Sequence, residues 1–438
     1  MLTSLLIAPT LHAQDSLSWD KAGGKVSANI DNWPVQKALK KIAGNTGWEI
    51  FMEPDLSLLV RTRFKNLDQE EALRRITSPL NFALVPEKNA PDRLYIFSTD
   101  RNRATERLES DDSSRIEDEL ILMLEDGADA DDIARKLNGT IIGSIGDLNA
   151  YRLKFNDSNS VRNALDQISQ MDDVNADFNY SIERPPSPMA MPGATAFPLN
   201  LNPSPTTRED AIIIGLIDTA IQLDGSPYAD FVLEQLAVGA KSVTSSIYPT
   251  HATHVLDALF TGYASASSLT DTIVRVVSVD VYGNQGSTST FDVTDGAIQA
   301  VEAGATVLNF SLGGPDETDY FKAFVENMTE SGIIITAAAG NQGSSTPSYP
   351  AAYPEAVSVT AVDTKGNLTS YANTGSTVDA VGPGTNLAEF SEGVFRSEGT
   401  SVAAPHVAGA TAARIEAGLS PAAASQSVVE AAPYQPAP

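Results

Sequence analysis

The run Ala211-Ile212-Ile213-Ile214-Gly215-Leu216-Ile217 constrains this chain more than any other stretch. It shows no alternation of apolar and polar residues, so a strand made from it buries both faces. Such a strand belongs inside a parallel sheet, with helices above and below. The residues that follow supply those layers. Their patterns predict helix 252–261, strand 272–279, helix 291–303, strand 306–310, helix 318–331, strands 332–338 and 355–361, a hairpin-like region reaching 396, a helix from Ser401 onward and a short helix over 420–431. Alternation of this kind marks an α/β fold. The first strand ends on Asp218. Open α/β sheets place their sites at the carboxyl ends of their strands.

Residues 397–416 join a bend-prone Gly399-Thr400-Ser401 to an Ala- and Val-rich helical pattern. A hydroxyl at a helix mouth meets unpaired N–H groups and a partial positive charge, which favours negative charge beside Ser401. A capped helix explains this stretch without any chemistry. A nucleophilic serine needs a base, usually histidine. The chain has four histidines: His12, His251, His254 and His406. His12 falls in a leader-like segment. His406 lies five residues from Ser401 on the same predicted helix, too close along the axis to reach the hydroxyl from the substrate side. His251 and His254 remain, with Asp218 as a carboxylate to orient the ring.

Asp, His and Ser in that order follow the chain order of subtilisin. Four separated blocks occur in sequence: IIIGLIDTA, THATHV, the pair VLNFSLGG and AAAGN, and GTSVAAPHVAG. On these blocks, residues 210–431 resemble the subtilases, the subtilisin-like serine peptidases. The resemblance implies a parallel seven-stranded sheet flanked by helices and hydrolysis of protein or peptide substrates. It implies Ser401 as nucleophile, His251 as general base and then acid, and Asp218 as the group that fixes the imidazole. Asn341 becomes the side-chain oxyanion donor beside the Ser401 backbone N–H. Ser311, Leu312, Gly313 and Gly314, with Ala338, Ala339 and Gly340, become walls of the substrate cleft, where glycines let a peptide add as a strand. Three departures stand out. Ala220 and Ala252 replace expected glycines, and Leu256-Asp257 stand where alanine and glycine are expected. A carboxylate on a packed helix needs a partner or solvent. The runner-up reading is a catalytically silent envelope-binding protein acting through its N-terminal domain. An esterase is disfavoured, because no G-x-S-x-G elbow surrounds Ser401.

The 438 residues suggest two to four domains, and the formal net charge of -27 argues against nucleic acid and anionic membranes as partners. The absence of cysteine excludes disulfides, thiol catalysis and thiolate metal sites. Structural calcium is compatible with the acidic loops, but no ligand spacing specifies it, and no metal site or cofactor is assigned. Residues 1–14 read as a signal-peptide remnant, which with the resemblance implies a periplasmic or secreted protein. No run is long enough to span a bilayer.

Residues 22–100 hold a repeat of period 34: Asn32, Ala38, Leu39 and Ile42 recur as Asn66, Ala72, Leu73 and Ile76. Each copy reads strand–helix–strand, over 24–30, 34–45 and 47–52, then 59–65, 68–77 and 81–86, with a last strand at 93–98. Two such copies make a small α+β sandwich resembling the secretin and TonB short N-terminal domain, which implies docking to an envelope protein. Polar residues 101–116 read as a linker. Residues 117–184 show a βαββαβ pattern resembling the ferredoxin-like prodomain of subtilases. That likeness implies an intramolecular chaperone and inhibitor, with 177–183 lying in the cleft. Proline-rich 185–209 reads as an extended, accessible processing segment.

Overall fold

A computed structural model describes residues 16–435, apart from 21–24, 47, 54–55, 57, 87–91, 109–113, 126, 172–173, 197–198, 241, 243 and 245–247. The leader-like segment 1–14 lies outside the described residues. The chain forms two compact units, divided between residues 113 and 114, and each is described by itself.

The first unit contains β1 (Ser16–Asp20), β2 (Lys25–Pro34), α1 (Val35–Thr46), β3 (Glu49–Met52), β4 (Leu59–Asp68), α2 (Gln69–Thr77), β5 (Asn81–Val85), β6 (Arg93–Phe97) and β7 (Glu106–Leu108). The two repeat copies share their work. Their opening strands, β2 and β4, pair antiparallel, and β1 flanks them; their closing strands, β3 and β5, sit on either side of β6 in a second sheet, β5-β6-β3-β7. Equivalent repeat positions perform equivalent burial. Ala38, Leu39 and Ile42 of α1 and Ala72, Leu73 and Ile76 of α2 all enter one core. Each buried Leu or Ile adds about 1.5–3 kcal/mol of transfer free energy. The reading of 101–116 as a linker is corrected in part: β7 pairs antiparallel with β3, and residues 115–116 already belong to the next strand.

The second unit begins with β8 (Arg115–Leu124), α3 (Ala130–Leu137), β9 (Thr140–Ile145), β10 (Ala150–Lys154), α4 (Ser158–Ile168) and β11 (Val174–Glu183). The sheet order is β11-β8-β10-β9. One face packs Leu120, Leu122 and Leu153 against α3 and α4. The other presents Ile121, Ile145 and Ala150 to the large layer that follows.

That layer comprises β12 (Met189–Ala190), β13 (Asn202–Pro203), β14 (Ile212–Asp218), β15 (Val232–Ala237), α5 (His251–Ala266), β16 (Asp271–Thr272), β17 (Val274–Asp280), β18 (Ser287–Ser289), α6 (Thr290–Glu302), β19 (Val307–Phe310), α7 (Asp319–Glu330), β20 (Ile334–Ala338), β21 (Val357–Val362), β22 (Ala380–Pro383), β23 (Thr385–Phe390), β24 (Gly393–Glu398), α8 (Thr400–Glu416) and α9 (Pro421–Ala431). Seven strands form one sheet, β15-β17-β14-β19-β20-β21-β22, and every neighbouring pair is parallel. The apolar run divides its side chains as a doubly buried strand must. Ile212, Ile214 and Leu216 join a core with α5 and α8, while Ile213 and Ile217 join one with α6 and α7. The edge strand β15 escapes the apolar-run pattern because it is only half buried, with Leu233 and Gln235 exposed. Within 185–209, read as extended and accessible, two short pairings form: β12 pairs with β24, and β13 pairs with β16. Among the described residues no helix is long and apolar enough to cross a membrane.

Two helix starts in this layer are capped from the upstream domain. Asn179 of β11 is fully buried; its Oδ1 accepts from Phe291 N at 3.2 Å and Thr290 Oγ1 at 3.0 Å, while its Nδ2 donates to Glu119 at 2.8 Å. Asp177 accepts from Tyr320 N at 2.6 Å. Both satisfy N–H groups that a helix start leaves orphaned.

Candidate active site

Three elements converge on one point at the carboxyl end of the sheet. Asp218 closes β14, His251 opens α5, and Ser401 lies in the first turn of α8. The two helices touch backbone to backbone. A Cβ on Gly262 would overlap the His406 main chain, and one on Gly409 would overlap the Leu259 carbonyl. Only glycine permits that approach, and the approach sets the two helices against each other.

His251 Nδ1 lies 3.0 and 2.9 Å from the two Asp218 oxygens, and His251 Nε2 lies 3.1 Å from Ser401 Oγ. All three residues are buried, Asp218 completely. Asp218 Oδ1 also accepts from Thr219 N at 2.6 Å. A carboxylate accepts only, so Nδ1 carries the proton it donates to Asp218. Nε2 is then free to accept from the Ser401 hydroxyl. The second histidine of the block is placed elsewhere. His254 Nδ1 pairs with Ser397 Oγ at 3.0 Å, and burial, then the neighbouring His251, lowers its pKa to about 3. His406 meets Ser265 at 3.4 Å, away from the Ser401 hydroxyl.

Asn341 follows β20 beside α8. Its Oδ1 accepts from Thr400 N at 2.8 Å and Thr400 Oγ1 at 3.1 Å. With the oxygen committed, Nδ2 is the end free to donate. Thr400 was not singled out from sequence; its place one residue before Ser401 is the signal that could have found it. Gly399 has φ +143°, and a Cβ there would sit 3.0 Å from Ser401 Oγ and 3.1 Å from Asn341 Nδ2. That empty point is about 3 Å from hydroxyl and amide alike, where a reacting carbonyl oxygen can be held.

The remaining predicted residues lie near these elements. Ser311 Oγ donates to the Ser401 carbonyl at 2.7 Å, and Gly314 forms a two-bond bridge with Tyr349. A Cβ on Gly314 would reach Ile182 of β11 at 3.7 Å, so Ile182 lies beside this glycine. Leu312 is buried in the core and Gly313 lies against Ser348 and Tyr349. Ala338 ends β20; Ala339 N donates to Val359 O at 3.0 Å, and Gly340 N donates to Thr400 Oγ1 at 3.1 Å.

The family departures have local explanations. Neither Ala220 nor Ala252 adopts positive φ, so alanine fits both positions. The Ala220 carbonyl accepts from Thr250 Oγ1 at 2.6 Å, and Ala252 N donates to Thr219 Oγ1 at 3.0 Å. Asp257 is 9% exposed and accepts from a neutral amide: Asn386 Nδ2 donates to it at 2.7 Å. Burial pushes its carboxyl up to about 6. Its folded pKa is raised, so the folded chain keeps a proton that the unfolded chain has lost between pH 4 and 6. Stability contributed by this proton falls as pH rises through that window. Asp257→Asn is therefore expected to raise stability at pH 7.5 by about 2–3 kcal/mol and to do nothing at pH 4. Melting curves of both chains at the two pH values check this.

The Subtilase family profile matches residues 209–436, and the Fervidolysin N-terminal prodomain profile matches 105–176. Subtilisin DY of Bacillus licheniformis is 33% identical over 214 residues, 45% of this chain and 74% of that protein. The Thermophilic serine proteinase of Bacillus sp. (strain AK1) is 37% identical over 166 residues, 37% of this chain and 41% of that protein. Subtilisin E of Bacillus subtilis (strain 168) is 34% identical over 193 residues, 40% of this chain and 49% of that protein. The chain thus spans about half the length or less of the latter two.

Proposed function

The chain belongs to the subtilase family of serine-type endopeptidases, and on that premise we propose that it cleaves peptide bonds through Ser401, His251 and Asp218. The observation that carries the reading is the unbroken contact chain from Asp218 through His251 to Ser401, at 2.9 and 3.1 Å. Ser401 Oγ attacks the scissile carbonyl while His251 Nε2 takes its proton, and His251 later gives that proton to the leaving amine. Asp218 holds the Nδ1–H tautomer and offsets the imidazolium charge. Asn341 Nδ2 and the Ser401 N–H stabilise the oxyanion. Ser311–Gly314 and 338–340 border the bound peptide. This chemistry calls on no cofactor.

The upstream domain, 117–184, acts as prodomain: it caps two helices of the large layer, and its last strand pairs with β18. The protein is made as a zymogen, exported to the periplasm or beyond, and processed within 185–209. Residues 22–100 dock on an envelope partner. The silent-binder alternative is not favoured, because every residue the chemistry requires is present and in contact.

Wild type on incubation is expected to be cut within 185–209 and then to label at Ser401 with a fluorophosphonate, whereas Ser401→Ala does neither. The reading is wrong if wild type fails to label even after an added protease has opened that segment.

A further inference from the structure

Two strand registers indicate which bond of this chain lies at Ser401. On one side β11 pairs antiparallel with β18, Ile182 opposite Thr288 and Glu183 opposite Ser287, and Arg184 N donates to Gly286 O at 2.9 Å. On the other, β12 pairs antiparallel with β24, Met189 opposite Arg396 and Ala190 opposite Phe395. Carried back three residues (189 − 3 and 396 + 3), the second register sets Pro186 opposite Gly399. Gly399 is the residue that leaves the open point between Ser401 Oγ and Asn341 Nδ2. The register thus points to Pro185–Pro186 as the bond at the nucleophile. It is a poor bond to cut. The Pro186 nitrogen is a tertiary amide whose ring carbon stands where an N–H would be, and it crowds the nitrogen that His251 must protonate. The segment sits in the cleft as an uncut stand-in for a substrate, and its side chains report the subsites.

Resting on the endopeptidase reading, we propose that the cleft selects a cationic side chain, arginine above lysine, at the second residue before the scissile bond. Arg184 holds that position. Its Nη1 donates to Gly283 O at 2.9 Å and Gln285 O at 2.8 Å, and its guanidinium lies 5.5 Å from the centre of the Tyr282 ring. The turn that supplies these carbonyls is fixed from beneath: Asp280 Oδ1 accepts from Tyr282 N at 3.1 Å and Gly283 N at 3.0 Å. Tyr282 OH also donates to the Glu183 carbonyl at 3.0 Å, tying the aromatic face to the peptide backbone. Two outward carbonyls and a π face accept a cation and offer nothing to a carboxylate. One guanidinium nitrogen donates to both carbonyls, and the delocalised, weakly hydrated cation gives up less water beside the ring than an ammonium does. Processing of 185–209 in the wild type then falls at another bond, cut by a second molecule.

The test uses the full chain carrying Pro185→Leu and Pro186→Ala, which turns the bond at Ser401 into an ordinary one. Intact mass is expected to show a cut between 185 and 186, absent when Ser401→Ala is added. The cut enzyme then receives mixed peptides Ser-Ile-Glu-Xaa-Leu-Ala-Ser, with Xaa as Arg, Lys, Ala or Glu. Competition in one tube makes residual tail slow all four equally. The arginine peptide is expected to exceed the alanine peptide in kcat/KM by roughly tenfold or more, with lysine between and glutamate lowest. Equal kcat/KM values overturn the subsite. A variant that labels at Ser401 yet stays whole, or is cut only elsewhere, overturns the register and the proposal. Neither cutting nor labelling removes the endopeptidase reading, and this proposal with it.

Discussion

Ser401→Ala is expected to lower peptide turnover by on the order of a million-fold while leaving stability nearly unchanged. In subtilisin, a relative of this chain, removing the serine or the histidine costs about that much, because the residues act as one unit. The stability expectation comes from geometry. Among the described residues Ser401 Oγ has one hydrogen-bond partner, His251 Nε2 at 3.1 Å, and the Ser401 carbonyl keeps its bond from Ser311 whatever the side chain. His251→Ala is expected to lose as much turnover but to melt lower. It removes the donor to Asp218, which is fully buried and among the described residues keeps only Thr219 N. A buried carboxylate stripped of a partner costs several kcal/mol. Turnover assays after opening 185–209, beside melting curves of all three chains, check both halves. A Ser401→Ala enzyme with turnover within tenfold of wild type would place the nucleophile elsewhere.

Gly399→Ala is expected to cost more than Asn341→Ala. Removing Asn341 deletes one oxyanion donor and leaves the Ser401 N–H in place. In subtilisin the equivalent loss is on the order of a hundred- to a thousand-fold in turnover. A methyl at position 399 does something different. It occupies the point 3.0 Å from Ser401 Oγ and 3.1 Å from Asn341 Nδ2, so the carbonyl oxygen cannot enter. Its φ of +143° adds backbone strain. Gly399→Ala should therefore fall below Asn341→Ala in kcat/KM, and the double variant should be no worse than Gly399→Ala alone. Kinetics of the three chains on one peptide decide it, and additive losses would show that the two positions act separately.

Much of the fold was legible because it is written in local patterns. The doubly buried run 211–217 predicts the parallel sheet, and the period of 34 predicts two strand–helix–strand copies. What was missed lay where patterns are weak. The edge strand 232–237 buries only part of its side chains, and strands 189–190 and 202–203 are too short for any periodicity. Asp257 looked alarming in sequence because its partner, Asn386, is 129 positions away.

By itself the sequence determined residue types and order: a serine at a helix mouth, two candidate histidines, a carboxylate at a strand end, an amide and a proline-rich segment after residue 184. The tertiary structure decided which histidine faces Ser401, which end of Asn341 is free, and which strands the segment after residue 184 pairs with. Those choices depend on backbone contacts between α5 and α8 and on two strand registers. Such contacts join residues more than a hundred positions apart, and no local pattern records them.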